Sequence, residues 1–253
     1  MTIELLPELA FIFMMVFARI GVIAMLMPAV GAESVPVRVR LTIAILITFI
    51  LVPIVGDTFG ELPGSPFALF LALALEMLIG LFIGMSAALL TSALQVAGTT
   101  IAFQTSLSAA QNTDVSTAVQ GTLVANFFNV VSLALIFAMD VHHLVIAAMH
   151  DSYTLFPPGG TLPIGDVAQT AVNAFAHAFL IGVQISAPFL LIGFIFNVGS
   201  GILARLMPQF QVLLVLLPAN LMIGFLFMFA LIGTMMMWYI EHLRAGLSVF
   251  IVQ

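Results

Sequence analysis

An all-α integral membrane protein is the fold class that three features of the sequence predict. The chain is 63% hydrophobic and only 6% charged, a balance far outside that of soluble domains. Apolar runs long enough to cross a bilayer recur along its length. Stretches rich in Pro and Gly separate them, so the runs read as about six helical segments arranged as hairpins. A polytopic helical membrane protein fits this profile.

In chain order, the first apolar segment covers 9–27 and stops at Pro28. Glu4 and Glu8 stand where a cleavable signal carries basic residues, so the run is expected to stay as a membrane helix. It contains Arg19, expensive at membrane depth unless it faces protein or water. A second segment, 41–55, is expected to be broken by Pro53, and 56–66 is a turn-rich acidic loop. The third, 67–103, is too long for one simple crossing. Next comes 103–122, FQTSLSAAQNTDVSTAVQGT, holding the single charge Asp114. Another apolar run, 123–149, is interrupted by Asn126, Asn129 and Asp140. The clearest break is 153–165, dividing a longer front from a shorter back. Asp166 or Thr170 is expected to cap a fifth helix that reaches Arg205 with a kink at Pro188. Thr170, Asn173, His177, Gln184 and Pro188 share one face there, a polar seam. The last segment spans 212–239, followed by a short tail with Glu241, His242 and Arg244. Arg38, Arg40 and Arg205 fall on one side of a flat six-span bundle, which would put the termini outside the cytoplasm.

Charge and composition exclude much. Five Arg, no Lys and eleven acids give a net charge of -6, and without a polybasic tract nucleic-acid recognition has no support. The absence of Cys removes disulfides, thiolate metal sites and Cys nucleophiles. Metalloprotease, phosphate-binding and nucleophile-elbow motifs are all missing, so no catalytic, cofactor or metal site is expected. Asp140, His142, His143, His150 and Asp151 form the best cluster for a metal or proton relay. It abuts a loop, where such residues are ordinarily solvated.

Two patterns carry functional weight. On α-helical spacing, Glu76, Gly80, Gly84, Ala87, Thr91, Gln95 and Gly98 lie within about 100° of arc. This small, polar stripe reads either as a helix-packing seam, with Gly80 and Gly84 as a close-approach pair, or as a face lining a conduit. Glu76 lies deep in an apolar run, as a proton site or as the partner of a buried charge such as Arg19. The stretch 103–122 cannot face hydrocarbon, because lipid leaves its polar groups unpaired. It is a loop in water, or it fills an aqueous cavity within a membrane assembly.

Short stretches in a fixed order resemble the FliR/SctT family of type III secretion export-gate proteins. They are Ala18-Arg-Ile-Gly21, Met27-Pro-Ala-Val-Gly31, Val35-Pro-Val-Arg-Val-Arg40, Glu76-Met-Leu-Ile-Gly80 with Gly84, and Leu94-Gln-Val-Ala-Gly98. Phe103-Gln104, Asp140-Val-His-His143, Asp151-Ser-Tyr153, Leu155-Phe-Pro-Pro-Gly159 and Ala204-Arg-Leu-Met-Pro-Gln209 continue the series. Two positions depart from the family. Asp114 is followed by Val115 where relatives often carry Pro, and Leu217-Pro-Ala-Asn220 ends in Asn where they often carry Lys.

The resemblance implies a non-enzymatic part of the flagellar export gate in the bacterial inner membrane, at the basal body, with a flagellar rather than an injectisome role favoured. It implies a FliP-like front, 1–160, joined to a FliQ-like back, 161–253, within one membrane-embedded domain. Implied partners are FliP, FliQ, FlhB, FlhA and the exported flagellar subunits. Steeply tilted hairpins, also implied, would undo the flat-bundle orientation. Residues 103–122 then become a luminal plug, carried by Gln104, Ser106, Ser108, Gln111, Asn112, Thr113, Asp114 and Ser116. The competing function is a secondary transporter or proton channel that uses Glu76, Asp140 and His177.

Overall fold

Long apolar helices account for almost all of the computed structural model, which describes residues 5–28, 30–31, 35–107, 123–160, 164–207 and 212–252. They are α1 (Leu5–Leu26), α2 (Val37–Val55), α3 (Pro66–Gln104), α4 (Leu123–Ala138), α5 (Val141–Leu155), α6 (Ile164–Leu206) and α7 (Val212–Ser248). A 3-10 turn, Gly56–Thr58, follows α2. There is no strand among the described residues. Among the described residues, five helices are long and apolar enough to cross a membrane, and α4 with α5 makes a sixth if that bent pair is one span. The protein is an all-α integral membrane protein.

Helix α3 has 39 residues, about 58 Å at 1.5 Å per residue. That is nearly twice the hydrocarbon thickness of roughly 30 Å. With 43 and 37 residues, α6 and α7 exceed it too. Helices of this length do not fit six flat crossings, so side-counting of Arg loses its footing.

The chain forms two compact units, each drawing on residues from both sides of position 160. The first comprises Met1–Leu90, Ile136–Phe175 and Leu243–Gln253. Its core is α1 residues Val16, Ile20, Ile23 and Ala24 with Ile83 of α3, Val145 and Ala148 of α5, and Leu247 of α7, all buried. Phe13 of α1 meets Phe49 of α2 at 5.0 Å between ring centres. Phe82 of α3 lies edge-on to Phe156 and Phe250, at 5.9 and 6.2 Å, the geometry that aromatic quadrupoles favour. The second unit comprises Thr91–Leu135 and Ala176–His242. Its core gathers Leu94, Ala97 and Ile101 of α3, Phe128 of α4, Ile185 and Phe189 of α6, and Tyr239 of α7.

The outer faces are as apolar as the inner ones. Phe67, Phe70, Met222 and Phe229 are among many large side chains left exposed. In water this surface would aggregate; it requires lipid or apolar partner protein.

Three sequence expectations need correction. Pro53 does not break α2, which runs on to Val55; the proline forgoes one bond to the carbonyl four residues back, and the helix ends two residues later. Asp166 and Thr170 do not cap α6, because the helix already begins at Ile164, and the Thr170 hydroxyl donates back to the Asp166 carbonyl at 2.8 Å. The expected tail holding Glu241, His242 and Arg244 is the end of α7. His242 Nδ1 meets the Trp238 carbonyl one turn back at 2.9 Å, and Arg244 donates to the Met139 carbonyl. On the polar face of α6, Asn173, His177 and Gln184 are exposed.

Candidate functional site

The entrance to the polar stretch lies in the second unit. Hydroxyls of Thr99, Thr100 and Thr105 turn back onto carbonyls of their own helix, at 2.8, 2.8 and 2.9 Å, so the last turns of α3 carry polar residues without unpaired hydroxyls. The helix then stops. Ser106 adopts a φ of +59°, a left-handed conformation disfavoured for residues with a side chain. Two hydrogen bonds from one side chain hold this juncture. Asn220 of α7, buried, donates from Nδ2 to the Gln104 carbonyl at 2.9 Å and to Ser106 Oγ at 2.8 Å. The Gln104 side chain lies over Gly193 of α6.

Of the expected plug residues, Gln104 and Ser106 are therefore placed. Ser108, Gln111, Asn112, Thr113, Asp114 and Ser116 lie outside the described residues.

The Glu76 stripe divides between the units. In the first unit a Cβ added to Gly80 would come 2.6 Å from the Arg19 carbonyl, and one on Gly84 would come 2.8 Å from Leu26 Cβ. Glycine there lets α1 and α3 approach backbone to backbone. In the second unit Gly98 plays the same part against Ala125 of α4, with 2.5 Å from the added Cβ to its backbone nitrogen. Thr91 and Gln95 are half-buried.

Glu76 belongs to a buried polar centre in the first unit. Arg19, fully buried, donates from Nε to Glu76 Oε2 at 2.5 Å. Its two Nη atoms donate to the carbonyls of Ser152 and Phe156, at 2.7 and 2.9 Å. The guanidinium also lies 4.2 Å from the centre of the Tyr153 ring. An always-charged planar group is thus met by a carboxylate, two carbonyls and an aromatic face. The carbonyls belong to the last turn and exit of α5, where the helix dipole leaves partial negative charge. Glu76 and Arg19 satisfy one another, which is the condition for ionisable groups buried in apolar surroundings.

The residues of the transporter reading differ in their surroundings. Glu76 is 2% exposed and ion-paired, whereas the Asp140 side chain is 74% exposed. His177, exposed on α6, belongs to the second unit.

Asp140 also has a positive φ, +59°, at the point where α4 and α5 meet at a 77° bend. The bend brings donor atoms of Asp140, His142 and His143 within 4.8 Å of one another. His143 and Asp140 stand 3.7 Å apart in solvent, a weak pairing. His150 does not join them; it pairs with Asp151 at 2.7 Å.

The family described as bacterial export proteins, family 1, matches residues 10–246. The chain belongs to this family. It is similar to the flagellar biosynthetic protein FliR of Caulobacter vibrioides, 40% identical over 237 residues, covering 93% of this chain and 94% of that one. The FliR protein of Bacillus subtilis is 30% identical over 88% of this chain and 85% of its own. For the Escherichia coli protein the figures are 29%, 85% and 82%. Membership of the FliR-type export family makes the chain a membrane-embedded component of the flagellar export apparatus.

Proposed function

We propose that the chain is a non-enzymatic core subunit of the flagellar export gate, assembling with FliP-like and FliQ-like membrane proteins into the conduit for unfolded flagellar subunits. The observation that carries this reading is the juncture at Ser106, where a 39-residue apolar helix delivers its chain into a polar stretch. Residues 103–122 form a plug in the lumen. Ser, Thr, Gln and Ala pack in a wet channel, and they part without breaking strong ion pairs. Exposed apolar faces such as Phe225, Leu226 and Phe229 of α7 meet neighbouring subunits or lipid. Residues 1–160 act as the FliP-like front and 161–253 as the FliQ-like back. The assembly sits in the inner membrane at the basal body, alongside FlhA and FlhB, and energy for export comes from elsewhere in the machine.

Co-purification of the tagged chain from membranes, with intact-complex mass and imaging, tests this. A stable complex holding FliP-like and FliQ-like subunits is the expected result. A lone monomer or homodimer that moves protons in liposomes would overturn it in favour of the transporter reading.

A further inference from the structure

We infer that Asn220 is a positioning residue: its carboxamide clips the end of α3 and so sets the direction in which the chain enters the polar stretch. This rests on the plug reading of 103–122. The Gln104 carbonyl can only accept a hydrogen bond, so the amide nitrogen of Asn220 must face it. The same nitrogen has two hydrogens, and the second reaches Ser106 Oγ. One side chain therefore satisfies a helix-terminal carbonyl, which has no partner within its own helix, and also holds the left-handed residue that follows.

The surroundings are shaped for this contact. Gly224 lies one turn after Asn220 on the same face of α7, and a Cβ there would come 2.7 Å from Thr105 Cβ. The missing side chain lets α7 approach close enough for Asn220 to reach. Gln104, Thr105 and Ser106 are thus each held, by Gly193 and Asn220, by Gly224, and by Asn220 again. Both hydrogen bonds are between neutral groups, strong enough to hold a direction and weak enough to exchange with water when the conduit opens.

The test uses the full chain in flagellated cells with its own partners. Asn220→Asp keeps the size but sets a carboxylate against a carbonyl oxygen, Asn220→Ala removes the clip, and Ser106→Ala removes one of its two acceptors. Recovered complex, passive uptake of a small solute and subunit export are measured together. Expected are complex levels within about twofold of the parent and a leak raised roughly three- to tenfold by either Asn220 variant. Ser106→Ala should leak less, and adding it to Asn220→Asp should add nothing further. Parental leak at parental complex levels would overturn the inference. So would loss of complex in every variant with no extra leak from what remains, since that assigns Asn220 a purely structural role. Failure of the parental chain to enter a multi-subunit complex would instead overturn the export-gate reading, and it shows in a separate readout.

Discussion

Removing the Glu76 carboxylate takes the counter-charge from the buried Arg19 guanidinium, leaving it only two carbonyls and the Tyr153 face. Glu76→Gln should therefore destabilise the assembled protein by about 3–5 kcal/mol. A lowered thermal midpoint of the purified complex and reduced accumulation in membranes would register this. Arg19→Lys should fall in the same direction, because an ammonium cannot serve a carboxylate, two carbonyls and the Tyr153 face together. The double change Arg19→Met with Glu76→Leu should be milder than either single truncation, measured by the same midpoint. If Glu76→Gln instead abolished export at full stability, the carboxylate would be a proton carrier. The sequence offered the pairing of Arg19 with Glu76 as one of two readings, beside a proton site, since two charges inside apolar runs have few ways to survive. The Ser152 and Phe156 carbonyls were not legible there, because backbone oxygens carry no residue signature. Asn220 escaped for a related reason: its partners are a carbonyl and a hydroxyl more than a hundred positions earlier in the chain.

Helices fix their neighbours here through absent side chains. Gly98→Val should force α3 away from Ala125, disrupting the second unit by overpacking of about 1–3 kcal/mol, whereas Ala87→Ser on the same stripe should be tolerated. Limited proteolysis of the detergent-solubilised complex would separate the two. The bend before α5 has its own prediction. Asp140→Gly should be neutral or stabilising, while Asp140→Val should cost about 1–2 kcal/mol, because a β-branched residue resists a φ of +59°; thermal midpoints decide. The existence and approximate extent of the long helices were readable from hydropathy alone. Their ends were not. Asp166 looked like a cap because aspartate favours that role, yet α6 starts before it, and a polar Glu241-His-Leu-Arg244 looked like a tail although His242 pairs within the helix and Arg244 beyond it. Local polarity marks where a helix meets water only when no neighbour supplies partners.

At the level of the whole molecule, the exposed apolar surface and the polar stretch make opposite demands. Deleting 106–116 should leave the apolar faces able to assemble yet open a leak to ions or small solutes, measured as uptake in cells that retain the complex. A deletion that assembles without leaking would remove the plug from the proposal. The division into two units has a further consequence, one of timing. The core of the first unit needs Leu243, Leu247 and Phe250 beside residues of α1 and α3. At ordinary rates of translation the ribosome reaches those positions on the order of 10 s after it has made the first ninety residues. Until then α1 and α3 wait in the bilayer without their last neighbours. A premature stop shortly before Leu243 would therefore damage the earliest part of the chain, and quality-control proteases would meet it there first.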